Sequence, residues 1–149
     1  MLSTIERVLL LKGADIFRAI SSEDLVPVAL VAREIDVAAG DTFIRQGEFG
    51  DCLYVLVTGE ASVVVREAGQ VAVRGPRSVL GEMAIISGRP RSADCMALTD
   101  VTALRVERAD FWELLAERPP LALGVITLLA TRLDDMDNNL STLQRAVQT

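Results

Sequence analysis

Residues 81–93 read GEMAIISGRPRSA and place a glycine–glutamate pair ahead of an arginine in one short segment. Gly81 permits a close backbone approach or a positive φ that a side chain would block. Residues 82–86 can form about one turn of helix, and the free N–H groups of such a turn attract an anion, most often phosphate. The Arg91 guanidinium adds a planar fork that suits two phosphate oxygens. The pattern therefore predicts an anion-binding pocket.

Glu82 makes the predicted ligand more specific. A carboxylate repels phosphate but accepts hydrogen bonds from sugar hydroxyls, so the segment suits an anionic sugar phosphate. Two plainer interpretations remain open at this point. Glu82 could serve only to complement the positive end of a helix, and the segment could be an ordinary loop, since loops that combine glycine with arginine are common.

The composition indicates one globular domain over residues 1–149, because half of the residues are hydrophobic and about a quarter are charged. The net charge of −6 argues against a nucleic-acid partner, since phosphate backbones are bound by basic patches. The chain has no histidine, which excludes the usual zinc sites, a Ser-His-Asp triad and a metal-dependent barrel enzyme. Cys52 and Cys95 are expected to be small core residues rather than a disulfide.

The sequence contains no strong membrane signal. The apolar runs at residues 25–32 and 121–130 are shorter than the ~20 residues that a membrane-spanning helix needs. The amino terminus lacks the pattern of a signal peptide. We therefore expect a soluble, cytoplasmic protein that does not bind membranes by itself.

The spacing of the hydrophobic residues changes twice along the chain, from helical to strand-like and back to helical. It therefore predicts three segments. Residues 1–33 form N-terminal helices, one opened by a capping box at Ser3–Glu6 and a second that begins at Ser21 or Ser22 and is short or kinked at Pro27. Residues 34–107 contain short strands separated by glycine turns, which is typical of an antiparallel barrel or jelly roll. Residues 108–149 form two C-terminal helices, broken at Pro119-Pro120. The predicted strands are 34–37, 42–44, 53–57, 61–65, 71–73, 92–97 and 101–106.

The last helix carries an apolar stripe with heptad spacing. Up to Leu129 we expect the stripe to pack on the barrel, because that part of the helix is apolar nearly all round. Beyond Leu133 the stripe is narrow and favours a homodimer, in which Arg132 would face Asp137 of a parallel partner helix. The stripe consists of Ala122, Ile126, Leu129, Leu133, Met136, Leu140, Leu143 and Val147.

The opening segment resembles the phosphate-binding cassette of cyclic nucleotide-binding domains, with Gly81-Glu82-Met83-Ala84 and Pro90-Arg91-Ser92-Ala93 at the family's spacing. A second stretch, residues 44–51 followed by 53–56 and Gly59, resembles that family's glycine-spaced strand signature. The resemblance covers nearly the whole chain. It implies an α+β fold, in which an antiparallel β-roll (a jelly-roll barrel, or double-stranded β-helix) is flanked by N-terminal helices and two C-terminal helices.

The resemblance also implies roles for the matching residues. Glu82 would accept from the ribose 2′-hydroxyl, and Gly81 would let the turn close. Arg91 would pair with the cyclic phosphate, helped by Ser92 and by backbone N–H groups near Met83, Ala84 and Ala93. The apolar walls for the base or sugar are expected to be Val64 or Val73, together with Met83.

Many members of the family cap the base with a bulky residue of the last helix. This helix has no aromatic residue, so Leu133, Met136 or Leu140 would have to serve. Met136 and Asp137 stand at positions that resemble the purine-reading pair of catabolite activators. Trp112 and Phe111 of the preceding helix are expected to be core residues, Arg89 to be solvated and Asp94 to face solvent.

The function implied by the resemblance is that of a non-catalytic sensor of the catabolite-activator or kinase-regulatory-subunit type. Its ligand would be cyclic AMP rather than cyclic GMP, since cyclic AMP is prevalent among bacterial relatives, although Ser92 is ambiguous for the base. The output would lie in an unidentified partner, or in a longer protein from which this domain comes. The alternative is a structural or interaction module without ligand, against which the presence of both Glu82 and Arg91 argues.

Overall fold

The computed structural model describes residues 1–148. Its helices are α1 (Thr4–Lys12), a 3₁₀ helix (Asp15–Phe17), α2 (Ser22–Val31), α3 (Glu82–Ser87), α4 (Arg108–Glu117) and α5 (Pro119–Gln148). Its strands are β1 (Arg33–Val37), β2 (Thr42–Ile44), β3 (Cys52–Thr58), β4 (Ala61–Val65), β5 (Gly69–Arg74), β6 (Val79–Leu80), β7 (Asp94–Ala97) and β8 (Val101–Glu107).

The strands form two four-stranded antiparallel sheets, in the orders β1-β8-β3-β6 and β2-β7-β4-β5. Neighbours in a sheet are far apart in sequence: Leu53 pairs with Val106, for example, and Val63 with Cys95. Helices stand at both ends of this β-roll. The predicted fold class is therefore confirmed.

Strand β3 lies at the centre of the packing, and both of its faces are buried. Successive side chains of a strand point to opposite faces. Leu53 and Val55 accordingly join the core between sheet and helices, whereas Cys52, Tyr54 and Leu56 join the core between the two sheets. A continuous apolar run, CLYVLV, is what a strand covered on both sides requires.

The N-terminal helices pack with α4 and the first turns of α5 against the sheet that contains β3. The capping box at Ser3 and Glu6 is present and opens α1, and Ser21 accepts from the Asp24 N–H at the start of α2. Helix α2 continues through Pro27 over ten residues. The core of this layer includes Leu11, Phe17, Leu25, Val28, Phe111, Leu121 and Val125.

Two elements were not predicted, the 3₁₀ helix and strand β6. They contain three and two residues, too few for a hydrophobic period to register. Helix α5 begins at Pro119, so the proline pair that was expected to separate the two helices lies in the first turn of α5. Proline is tolerated in the first turn of a helix, where its missing N–H would have had no partner.

Helix α5 is continuous, but it packs against the rest of the protein only as far as Arg132. Leu121 and Val125 are buried, and Leu128 and Leu129 pack partly against the core. From Leu133 to Val147 every residue is exposed, including the part of the apolar stripe that lies there. The prediction that the earlier part of the stripe packs on the barrel is wrong at Ile126, which is 60% exposed, because the helix buries the face that carries Leu121 and Val125 instead. Over residues 1–148 no single helix is long and apolar enough to cross a membrane, and α4 with α5 passes that test only as a pair bent by 109°.

Candidate functional site

Gly81 shapes the entry to the predicted cassette. Its φ of +84° is left-handed, and it precedes α3 without a side-chain cap. A Cβ at this position would collide with Nη1 of Arg91 and would lie 3.3 Å from the Cys52 carbonyl oxygen. Only glycine satisfies both the backbone angle and the close approach of the guanidinium.

Arg91 is buried, with 6% of its surface exposed, at the floor of the site. Its Nη1 donates to the Gly81 carbonyl at 3.1 Å, and its Nη2 donates to the Cys52 carbonyl at 2.8 Å. Asp51 Oδ1 lies 3.6 Å from the same Nη2 and balances the charge. These contacts orient the guanidinium without using all five of its N–H hydrogens.

The two sequence motifs hold each other in place through the backbone. The Arg91 N–H donates to the Glu48 carbonyl at 2.8 Å, and the Gly47 N–H donates to the Arg91 carbonyl at 2.9 Å. The glycine-rich turn at residues 46–50 therefore clamps the arginine end of the cassette. This explains why the second motif accompanies the first.

One cavity of about 610 Å³ opens over these residues. Its volume lies within the 300–1,000 Å³ that is usual for small-molecule sites. All seven cassette residues named from the sequence line it, namely Gly81, Glu82, Met83, Ala84, Arg91, Ser92 and Ala93. The other lining residues are Ile44, Val63, Arg74, Val79, Leu80, Ser87, Arg89, Pro90 and Cys95.

The charges of the cavity suit an anion that also carries hydrogen-bond donors. Arg74, Arg89 and Arg91 line it, against the single carboxylate of Glu82. Arg89 is exposed, as predicted, but it lies on the rim of the cavity. Arg74, at the end of β5, did not stand out in the sequence, because only the strand pairing places it on this wall.

Neither Val64 nor Val73 lines the cavity, and Val63 takes that place. Val63 lies opposite Cys95, which shares the cavity wall, whereas Val64 lies opposite Asp94. Val73 is 42% exposed. Three consecutive valines give no alternation of polarity, so the sequence could not decide which of them points inward.

Leu133 and Met136 also lie off the cavity, with exposures of 62% and 66%. The α5 residue that reaches the site is Arg132. Its Nη1 lies 3.5 Å from Glu82 Oε1 and 3.4 Å from the Met83 sulfur. The sequence predicts a pairing of Arg132 with Asp137 of a second copy, and nothing local in the sequence indicates a contact with Glu82.

Trp112 is not a core residue, contrary to the prediction. It is 41% exposed, whereas its neighbour Phe111 is only 2% exposed. The indole N–H of Trp112 donates to the Ile85 carbonyl at 2.9 Å. Helix α4 is thereby attached to α3, the helix of the cassette.

Asp94 is half-buried rather than fully solvated. Its Oδ1 accepts from the Gln46 N–H at 2.6 Å and lies 3.8 Å from Arg66. It is not a lining residue of the cavity. The carboxylate therefore braces the glycine-rich turn from outside and does not oppose an anion in the cavity.

Cys52 and Cys95 are free and buried, which confirms that they are core residues. Burial raises the pKa of the Cys52 thiol and raises that of Cys95 to about 11. Both thiols are therefore neutral at physiological pH. The sulfur of Cys52 lies 3.6 Å from Arg91 Nη2.

A charged network continues from the cavity floor along the sheet. Asp51 Oδ2 lies 3.5 Å from Arg105 Nη2, and Arg105 Nε donates to Glu107 at 2.6 Å. The hydrogen bond from Arg105 lowers the pKa of Glu107, although burial opposes it. Burial raises the pKa of Tyr54 to about 12, and its hydroxyl accepts from Arg105 Nη1 at 3.1 Å.

The comparison with known families agrees with this geometry. The model of the cyclic nucleotide-binding domain matches residues 34–118, which include the β-roll, the cassette and α4. The chain belongs to the cyclic nucleotide-binding domain family. The family resemblance noted from the two motifs is thus confirmed.

Individual relatives and structures point the same way. The chain is 27% identical over 138 residues to a CRP-like cAMP-activated global transcriptional regulator of Mycobacterium tuberculosis, covering 90% of this chain and 62% of that protein. The N-terminal domain of a transcriptional regulator from Streptomyces coelicolor superposes with a TM-score of 0.77 at 29% identity, covering 87% of this chain and 95% of that one. The regulatory domain of Toxoplasma gondii PKA, crystallised with cAMP, superposes with a TM-score of 0.69 at 25% identity, covering 74% and 44%.

Proposed function

We propose that the chain binds a cyclic nucleotide in the cavity over α3, and that it acts as a non-catalytic regulatory sensor. The observation that carries the proposal is the meeting of Glu82 and Arg91 on one cavity of suitable volume. The family match supports a cyclic nucleotide as the class of ligand. The nucleotide would be a ligand and not a cofactor, since no covalent chemistry is asked of the site.

In this proposal the cyclic phosphate lies against Arg91 and the first turn of α3. The Nε–H of Arg91 has no acceptor among residues 1–148, so it is available to a phosphate oxygen. Backbone N–H groups at Met83, Ala84 and Ala93 and the exposed Ser92 hydroxyl supply further donors. Glu82 accepts from the ribose 2′-hydroxyl.

We propose cyclic AMP as the preferred ligand over cyclic GMP. The support is that the M. tuberculosis relative is a cAMP-activated regulator and that the T. gondii domain was crystallised with cAMP. Val63 and Met83 would pack against the base or sugar. Leu133 and Met136 stay predictions for the nucleotide-bound arrangement, in which α5 or a second copy of it would have to approach the base.

We further propose that α4 and α5 relay occupancy. The support is that each helix contacts the cassette, α4 through Trp112 and α5 through Arg132. The exposed stripe of α5 offers a surface for a homodimer in the cytoplasm. The chain spans 62% of the length of the M. tuberculosis relative. We propose that the regulatory output is carried by a partner protein or by a further domain.

The experiment is a calorimetric titration of the purified protein with cyclic AMP, cyclic GMP and 5′-AMP in separate runs. We expect micromolar or tighter binding of cyclic AMP, weaker binding of cyclic GMP, and much weaker binding of the open phosphate of 5′-AMP. A folded, nucleotide-free protein that binds none of the three would refute the proposal and favour a module without ligand. Equal affinity for cyclic GMP would refute only the preference for adenine.

A further inference from the structure

We propose that Arg74 is a second guanidinium of the nucleotide site, and that it supplies the positive charge that neutralises the cyclic phosphate. This inference rests on the proposed function. It concerns a residue that lies outside both sequence motifs, and it assigns that residue to the phosphate rather than to the base.

Arg74 projects from the inner face of its sheet. It pairs with Ala61 of β4, which pairs on its other side with Ala97 of β7. Residues directly opposite each other in a sheet share a face, and both alanines are fully buried in the core between the two sheets. The two small side chains leave room for the long side chain of Arg74 on this face.

The position at the end of β5 lets Arg74 reach the cavity and still contact water. Strand β5 is an edge strand, and Arg74 is its last residue. Val63 and Cys95, the next pair on the same face, line the cavity together with Arg74. Arg74 is exposed, so its charge stays hydrated in the free protein and its placement there costs little.

The guanidinium of Arg74 makes no hydrogen bond and no ion pair with any residue from 1 to 148. The charged groups of the cassette are already paired. Arg91 Nη2 lies 3.6 Å from Asp51 Oδ1, and Glu82 Oε1 lies 3.5 Å from Arg132 Nη1. These two pairs are neutral overall, so the negative charge of a cyclic phosphate needs a further cation, which Arg74 can provide.

Arg74 and Arg91 act on the same part of the cavity wall. Burial raises the pKa of the Cys95 thiol to about 11, and the charges of both arginines oppose that rise. Glu82 acts on the same thiol with the opposite sign. The three charged groups therefore surround one point, whereas Arg89, which also lines the cavity, stands on its exposed rim.

A guanidinium is suited to this role because it stays charged at any physiological pH and binds phosphate oxygens through a planar fork. The cyclic phosphate would lie between Arg91 at the floor and Arg74 on the β5 wall. Because Arg74 is exposed, its contact with the phosphate would be partly solvated and weaker than that of the buried Arg91.

The test compares wild type, Arg74→Gln and Arg74→Lys in calorimetric titrations with cyclic AMP and with cyclic GMP at one ionic strength. Arg74→Gln should bind both nucleotides about tenfold more weakly, since both carry the phosphate whose charged partner is lost. Arg74→Lys should stay within about threefold of wild type, since it keeps the charge although it loses the fork.

Arg77→Gln is the matched control, because it removes the same charge three positions further along the chain. Arg77 is exposed, does not line the cavity, and places its side chain beside Gly13 at the end of α1. It should bind both nucleotides as wild type does. Circular dichroism establishes that every variant is folded.

The outcomes separate this inference from the proposed function. If wild type binds cyclic AMP and Arg74→Gln matches Arg77→Gln, the role of Arg74 is refuted and the proposed function stands. A loss confined to one of the two nucleotides would mean that Arg74 contacts the base, and a loss in Arg74→Lys as large as in Arg74→Gln would mean that its charge is not what matters. Either result would refute the assignment to the phosphate. Absence of binding to folded wild type would overturn both proposals.

Discussion

Replacement of Gly81 by alanine should damage the site more than the fold. The left-handed φ of +84° costs an alanine about 1–2 kcal/mol. The added Cβ also meets Nη1 of Arg91, which is buried and donates to the Gly81 carbonyl at 3.1 Å. The guanidinium must move, and the loss of a hydrogen bond from a charged group adds roughly 1.5 kcal/mol or more. We expect a total loss of about 3 kcal/mol in the free energy of unfolding.

Gly69→Ala is the control that isolates the cost of the backbone. Gly69 has a φ of +80° and is the first residue of β5, directly after the turn that joins β4 and β5, and a Cβ there meets nothing within 4 Å. It should lose only the backbone cost of about 1–2 kcal/mol. The assay is urea unfolding of both variants together with titration of cyclic AMP.

Affinity distinguishes the two glycines. Gly81→Ala should bind cyclic AMP at least tenfold more weakly, because its guanidinium is displaced, whereas Gly69→Ala should bind as wild type does. If the two variants lost similar stability and kept wild-type affinity, Arg91 would not need the close approach that the structure describes, and the reasoning would fail.

Three further predictions concern the surroundings of the site. Trp112→Phe should lower the free energy of unfolding by about 1 kcal/mol, since it removes the donor to the Ile85 carbonyl, and equilibrium unfolding in urea measures this. The pKa of Glu107 is lower in the folded protein than the ordinary 4.5, so the stability that it contributes is present above that pH and lost as the pH falls through the folded value. Glu107→Gln should therefore cost about 0.5–1 kcal/mol at pH 7 and flatten the loss of stability on acidification, which unfolding curves from pH 7 to pH 3 would show. Cys52, which is 1% exposed and does not line the cavity, has a pKa raised by burial, so it should react with a thiol reagent at neutral pH only as fast as the protein unfolds; fast labelling of this thiol in the folded protein would contradict its burial.

The fold could be predicted largely because its signals are local. Glycine turns at regular intervals separate short apolar segments, and the strands at residues 42–44 and 61–65 lie where the sequence placed them. The capping box at Ser3 is likewise a pattern of four neighbouring residues. Such signals can be read from the sequence without knowing which segments contact each other in the folded protein.

The parts of the candidate site that could not be predicted from the sequence depend on contacts between distant segments. The valine run at residues 63–65 has no polar alternation, so the choice of Val63 over Val64 needs the pairing with β7. Trp112 is a large aromatic residue at the helical spacing of a core residue, yet its indole N–H donates to a backbone carbonyl of α3. Arg132 lies fifty positions beyond Glu82, and no local pattern in the sequence indicates the contact between these two side chains.

The most direct test of the central claim is the affinity of Arg91→Leu for cyclic AMP, measured by calorimetry beside Arg91→Lys and the control Arg45→Leu. Arg45 is exposed on the neighbouring turn, and its loss should leave affinity unchanged. We predict that Arg91→Leu, shown to be folded by circular dichroism, loses ~2–5 kcal/mol of binding free energy, or roughly 30- to several-thousand-fold in affinity. Arg91→Lys should retain part of the binding, since it keeps the charge. Wild-type affinity in folded Arg91→Leu would contradict the assignment of this cavity as the nucleotide site.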